Sequence, residues 1–211
     1  MKDLLITMEG PDGAGKSTQI ALLKDYLEGK GYRVLVTRDP GGNPVSEAIR
    51  EVILNREYTR MSDMTELLLY AAARAQLVAE VIKPALEQGM IVICDRFVDS
   101  SAVYQGIARG LGVDTVYGVN AYALQGISPI LTIHMDLEAK EGIRRKKNQA
   151  KLDRMEASGL EFHEKVAEGY RTLAAKNTER IVTIDAALPI EEIHGKIVEA
   201  VDMRIINSDK N

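Results

Sequence analysis

Gly10-Pro11-Asp12-Gly13-Ala14-Gly15-Lys16-Ser17 is the stretch that decides the fold. It fits the phosphate-binding pattern G-x-x-x-x-G-K-[ST] and stands between the two elements that pattern requires. Before it runs the apolar stretch Leu4-Leu5-Ile6-Thr7-Met8, which reads as a strand. After it, Ile20, Leu22, Leu23 and Leu27 fall at roughly helical spacing. Glycines let backbone N–H groups turn inward around phosphate oxygens, and the helix N-terminus adds a favourable field. Lys16 can reach the β- and γ-phosphates of a nucleotide, and the Ser17 hydroxyl can ligate Mg²⁺.

The rest of the chain extends this beginning. Its 211 residues suffice for one sizeable core and read as a single domain over 1–211, with a lid insertion at about 138–160. Hydrophobic residues make up 45% and charged residues 27%, an ordinary globular balance. A net charge of −4 argues against a nucleic-acid partner, so local basic clusters must hold any anionic ligand. The single cysteine, Cys94, excludes an internal disulfide framework and a cysteine metal site, and its run Met90-Ile91-Val92-Ile93-Cys94 reads as a buried strand. No apolar run reaches transmembrane length and no secretory signal pattern is present. A cytoplasmic location and no membrane partner are therefore expected.

Short apolar strands are expected at 4–8, 33–37, 90–94, 130–135 and 180–184. Helices are expected at 16–29, 45–55, 64–88, 100–107, 113–125, 140–147, 161–176 and 190–205, with Pro84 ending or kinking the third near Lys83. The strands lack polar alternation, as parallel strands covered on both faces do. The fold class is α/β: a P-loop NTPase-type three-layer fold with a five-stranded parallel sheet, helices on both faces and a short basic lid. Segment 138–160 is polar and basic, contains Arg144-Arg145-Lys146-Lys147, and reads as a mobile excursion. The tail at 207–211 reads as frayed.

Ligands of open α/β sheets lie beyond the carboxyl ends of the strands. Asp95-Arg96 closes the third strand there: the carboxylate can hold Mg²⁺ or its water shell, and the guanidinium can span phosphoryl oxygens. Thr37-Arg38-Asp39-Pro40-Gly41-Gly42 puts a second arginine at the same edge, either for a second anionic ligand or as a solvated turn residue. Segment 144–151 is either a solvated helix face or a lid that brings arginines over transferring phosphates. Tyr70 and Arg74 share one helix face, and Ser101, Tyr104 and Gln105 share another. Such side chains can stack on a nucleobase and bond its edges, although Tyr70 reads equally well as a core residue.

Four stretches, in order and spacing along nearly the whole chain, resemble the thymidylate kinases. They are Glu9-Gly10-Pro11-Asp12-Gly13-Ala14-Gly15-Lys16-Ser17-Thr18, Thr37-Arg38-Asp39-Pro40-Gly41-Gly42, Asp95-Arg96-Phe97-Val98-Asp99-Ser100-Ser101 with Tyr104-Gln105-Gly106, and Leu152-Asp153-Arg154. The resemblance implies transfer of the ATP γ-phosphoryl group to dTMP, with Mg²⁺ as cofactor. It implies that Lys16, Ser17 and the loop from Gly10 to Thr18 hold ATP and Mg²⁺, with Asp95 also at the metal, and that Asp12 faces the acceptor nucleotide. Arg38 and Arg96 would bind the acceptor phosphate, Arg96 also near the transferring group. Tyr70 would stack on thymine, Arg74, Ser101 and Gln105 would address its polar edge, and Tyr104 would crowd the 2′ position. The family usually dimerises by packing helices, which suits a homodimer through 64–88 and 113–125.

Three positions depart from the family pattern. Asp39 stands for an expected glutamate, Phe97 for a common tyrosine, and Gly13 for the arginine that some members carry. The catalytic arginine should then come from the lid, with Arg145 the first choice and Arg144 the second. The alternative is another P-loop nucleotide or nucleoside kinase. Tyr104 argues against a ribonucleotide acceptor, and a nucleoside acceptor would not need two phosphate-binding arginines. A GTP-driven switch would show D-x-x-G and N-K-x-D in their expected places, and neither is there.

Overall fold

The computed structural model describes residues 4–146 and 153–205. Lys147, the remainder of 147–152 with Leu152, and the tail at 206–211 lie outside the described residues. Five strands, β1 (Leu5–Glu9), β2 (Val34–Arg38), β3 (Ile91–Asp95), β4 (Leu131–Asp136) and β5 (Ile181–Asp185), form one sheet in the order β2-β3-β1-β4-β5. Every pairing is parallel. Neighbouring residues of β1 point to opposite faces: Ile6 and Met8 pack toward α1 (Lys16–Gly29) and α9 (Ile190–Ile205), whereas Leu5 packs with Leu77, Ile82 and Phe97. Both faces are covered, which is why the strands read as unbroken apolar runs.

Each strand begins and ends one residue later than its apolar run suggests. The last residues are Glu9, Arg38, Asp95, Asp136 and Asp185, all charged. Backbone pairing does not stop at a change of side-chain polarity: Arg38 and Met8 both pair with Asp95, and Asp136 pairs with Asp185. The sheet thereby carries ionisable side chains to its carboxyl edge.

The other helices are α2 (Pro44–Leu54), α3 (Asp63–Leu77), α4 (Lys83–Glu87), α5 (Val98–Ser101), α6 (Val113–Ala123), α7 (Ala139–Lys146) and α8 (Leu160–Lys176). Two expected single helices are compound. The run 64–88 passes from α3 through a π-helical segment, Val78–Ile82, into α4, with Pro84 in the first turn of α4 directly after that widened segment. The run 100–107 is α5 followed by a π-helical segment, Ala102–Ala108, that carries Tyr104 and Gln105. Such widened turns are frequent at functional sites. The described part of 138–160 is more integrated than the expected excursion. It contains α7 and a 3₁₀ turn, Glu156–Ser158, and α7 meets the phosphate loop backbone to backbone.

Candidate active site

The phosphate loop joins β1 to α1 and takes positive φ at Gly13 (79°) and Gly15 (84°), a region open to glycine at little cost. Gly13 is constrained from outside as well. A Cβ there would stand 2.6 Å from the Gly142 carbonyl oxygen and 3.0 Å from its Cα. The space that a side chain at position 13 would need is filled by the backbone of α7 at Gly142. Lys16 is buried, and its Nζ donates to the carbonyls of Gly10 (3.1 Å) and Pro11 (3.0 Å). Burial and then Arg96 push the Lys16 ammonium down to about 8, against the attraction of Asp95, Asp12 and Glu9.

Arg96 follows β3 with φ 68°, a left-handed conformation that is uncommon for a residue with a Cβ. Its N–H donates to Met8 O at 3.0 Å, and the Cys94 thiol donates to its carbonyl. The guanidinium donates to Asp12 Oδ1 (2.8 Å), Gly10 O (3.0 Å), the Tyr170 hydroxyl (3.1 Å) and Ser100 Oγ (3.3 Å), and lies 5.3 Å from the centre of the Tyr104 ring. Burial alone would raise the Asp12 carboxyl, but Arg96, Lys16 and Lys146 outweigh it and hold that carboxyl well below the usual carboxylate range.

Glu9 organises this corner from beneath. It is 1% exposed and accepts from Phe97 N (2.7 Å), Ser100 Oγ (2.5 Å), Ser100 N (3.3 Å) and the Tyr170 hydroxyl (2.9 Å). It satisfies N–H groups at the start of α5 that no local side chain caps, and it holds two hydroxyls that Arg96 also uses. Burial, then Asp99, raise its carboxyl to about 7, against the pull of Arg96.

Two cavities flank this corner. The smaller, of about 110 Å³, is lined by Tyr70, Arg74, Ser101, Tyr104 and Gln105, together with Asp12, Asp39, Arg50, Arg96 and Lys146. The larger, of about 410 Å³, is lined by Gly13, Gly15, Lys16, Ser17, Thr18, Arg38, Asp95 and Arg145, and again by Asp12, Asp39, Arg50, Arg96 and Lys146. The five shared residues form the wall where the two cavities meet.

Arg74 is 1% exposed and makes four hydrogen bonds with its five N–H donors. Its Nε donates to Asp39 Oδ2 (2.5 Å), Nη1 to Asn120, and Nη2 to Ser101 Oγ (3.0 Å) and Phe97 O (3.3 Å). Asp39, in the place of an expected glutamate, reaches Arg74 through this buried pair. Phe97 is fully buried in an apolar cluster. Tyr104 is 7% exposed, packs against Phe162 and Tyr170, and its hydroxyl is buried with no hydrogen-bond partner among the described residues. Arg38 lies at the rim of the larger cavity, not the smaller, and pairs with both oxygens of Glu47 at 2.8 Å.

The two lid arginines diverge. Arg145 lines the larger cavity, and its guanidinium donates to Glu141 Oε1 (2.9 Å), Ala186 O (3.2 Å) and Gly13 O (3.4 Å). The Arg144 side chain is 74% exposed, pairs with Glu141, and is not among the residues lining either cavity. The sequence reading missed Lys146, which pairs with Asp12 at 3.6 Å and with Glu156, and Arg50, whose Nη1 donates to Pro40 O at 3.1 Å. Lys146 stood within the basic run as its one signal; Arg50, on an amphipathic helix, had none.

A family model described as thymidylate kinase matches residues 8–197 of the chain. The chain belongs to the thymidylate kinase family. The thymidylate kinase of Geobacillus thermodenitrificans is 47% identical over 213 residues, covering 100% of this chain and 95% of that protein. That of a Geobacillus species is 48% identical over 203 residues, covering 95% and 97%. The solved structure of thymidylate kinase from Ehrlichia chaffeensis superposes with a TM-score of 0.77 at 30% identity, covering 94% of this chain and 98% of that one. The enzyme is accordingly a nucleoside monophosphate kinase, a phosphotransferase acting on thymidylate. Among the described residues, no helix is long and apolar enough to cross a membrane.

Proposed function

We propose that this kinase transfers the γ-phosphoryl group of Mg²⁺-bound ATP to the 5′-phosphate of dTMP at the seam between the two cavities. The observation that carries the reading is the shared wall of Asp12, Arg96 and Lys146, which gives donor and acceptor sites one common boundary. ATP phosphates occupy the larger cavity, on Lys16 and the backbone of residues 10–18. The nucleoside of dTMP occupies the smaller one, with Tyr70 against the base, Arg74, Ser101 and Gln105 at its polar edge, and Tyr104 against the 2′ position. Arg38 and Arg96 take the acceptor phosphate.

The acceptor phosphate oxygen is already a nucleophile, so the protein's task is positioning and neutralisation of charge. Lys16 keeps its proton when a polyphosphate arrives, because an adjacent anion favours the charged form. Arg145 approaches the phosphates over Gly13 and stabilises charge on the transferring group; Arg144, directed outward, is subordinate to it. Ser17 and Asp95 are the residues that would hold Mg²⁺. The fit is supported by a buried Asp95 Oδ1 without a protein partner among the described residues, on the cavity that Ser17 also lines. When bound, the ion neutralises charge on the phosphoryl oxygens.

ADP release measured across the common nucleoside monophosphates, with and without a chelator, tests the reading. dTMP is expected to give the highest kcat/KM and the chelator to abolish turnover. Release with another monophosphate and none with dTMP would overturn the acceptor assignment. A homodimer through α3 and α6 is supported by exposed apolar side chains: Met64 and Leu68, one turn apart on α3, and Tyr122 on α6, 90% exposed. Sedimentation of the wild type and of Leu68→Asp should give a dimer and a monomer. A cytoplasmic location accords with ATP as donor and with a lone, buried, unpaired cysteine.

A further inference from the structure

Glu66 lies one turn before Tyr70 on α3 and is 1% exposed. Three groups converge on its carboxylate: Gln105 Nε2 donates at 2.8 Å, and Arg154 Nη2 at 2.7 Å and Arg109 Nη2 at 3.3 Å form ion pairs with it. Arg154 and Arg109 arrive from outside α3, so the acid ties three parts of the chain together. Its contact with Gln105 has a further consequence. An ionised carboxylate only accepts hydrogen bonds, whereas an amide offers a donor on one side and an acceptor on the other. Facing Glu66, the Gln105 amide can present only its NH₂ group. Its carbonyl oxygen, which meets no donor among the described residues, is left for the smaller cavity that Gln105 lines. The orientation of an amide is decided by such a network and not by its shape.

Arg74 lines the same cavity and can only donate. An arginine donor beside a fixed carbonyl acceptor complements a pyrimidine edge of carbonyl O4 and N3–H. Cytosine presents the reverse, an amino group at position 4 and a bare N3 acceptor. Taking the small cavity as the dTMP base site, we infer that Glu66 is a positioning residue that sets selectivity against cytosine by locking the Gln105 amide with its oxygen toward the base. Without the lock, the amide can turn over and meet cytosine N3 with its NH₂ group.

The experiment compares kcat/KM for dTMP, dUMP and dCMP in Glu66→Gln. A glutamine at 66 can donate or accept, so it no longer dictates the orientation of Gln105. The dTMP/dCMP ratio is expected to fall by roughly tenfold, mainly through KM, in line with one mismatched buried hydrogen bond. The dTMP/dUMP ratio should stay put, because both bases carry O4 and N3–H. All substrates are read on one preparation, so the folded fraction cancels from the ratios. Should Glu66→Gln not fold, Glu66→Asp keeps the charge but withdraws it by a methylene and should lower the same ratio. In a Gln105→Leu background, Glu66→Gln should change the ratio no further. An unchanged dTMP/dCMP ratio in the Glu66 variants, or an equal drop without Gln105, overturns the role of Glu66. A Gln105→Leu enzyme with wild-type dTMP KM and base ratios overturns the assignment of the cavity itself.

Discussion

Gly142→Ala is expected to slow the chemical step while strengthening the helix it sits in. Alanine is favoured over glycine in a helix interior by about 0.5–1 kcal/mol, so α7 taken alone should gain. Its docking should lose. A Cβ on Gly142 would press into the Asp12 carbonyl oxygen, more closely than a Cβ on Gly13 would approach the Gly142 carbonyl oxygen at 2.6 Å. Ordinary van der Waals contact begins at 3.4 Å, so relieving the Asp12 contact calls for a retreat of α7 by roughly 1 Å. Arg145 is three residues further along the same helix, and its link to Gly13 O is already 3.4 Å long, so it would be carried out of reach. Misplacing a catalytic group by about 1 Å can cost on the order of 100-fold in rate. Single-turnover phosphoryl transfer, with ATP and dTMP binding measured separately, should show a loss between about 10- and 100-fold against nearly unchanged affinities. Gly195→Ala in α9 is the control, since a Cβ there meets nothing within 4 Å. Wild-type transfer by Gly142→Ala would refute the claim that the backbone contact between α7 and the phosphate loop sets the position of Arg145.

Arg145→Ala should reduce single-turnover transfer far more than it changes ATP or dTMP affinity, because the interaction forms mainly in the transition state. Lysine at that position should rescue only in part for lack of the planar fork, and Arg144→Ala should stay near wild type. Tyr104→Ala should bring the specificity constants for dTMP and its ribonucleotide counterpart closer together, by about 1–3 kcal/mol in their ratio; an unchanged ratio moves sugar selection elsewhere, first to Asp12. Glu9 gives a pH signature. Its carboxyl ionises near 4.5 in an unfolded chain and only near 7 in the native one, so the native state loses stability as pH rises through that window. The loss is up to about 3 kcal/mol, present in full above the native value. Urea unfolding of the wild type should show the decline chiefly between about pH 4.5 and 7, and Glu9→Gln should remove it.

The fold class, and the gathering of the named side chains at the carboxyl edge of the sheet, are legible in the linear chain. A phosphate loop between an apolar strand and a helix, followed by repeated βα spacing, allows few topologies other than a parallel sheet with its ligands at the carboxyl edge. Lys16, Arg38, Asp95 and Arg96 could be placed at that edge because each lies at or just beyond the end of an apolar strand or in the loop. Tertiary structure decided what local pattern cannot carry. Apolar runs stop where side chains turn polar, whereas backbone ladders do not, so all five strands reach one charged residue further. The π-helical segments at Val78–Ile82 and Ala102–Ala108 arise from packing and leave little mark on periodicity. Arg144 and Arg145 are adjacent and chemically alike, and only the docking of Gly142 on the phosphate loop turns one inward and leaves the other in solvent. Glu9 and Glu66 owe their importance to partners from distant parts of the chain: Phe97, Ser100 and Tyr170 for one, Gln105, Arg109 and Arg154 for the other. A buried carboxylate is tolerated only where donors converge on it, and that convergence belongs to the folded chain rather than to any stretch of its sequence.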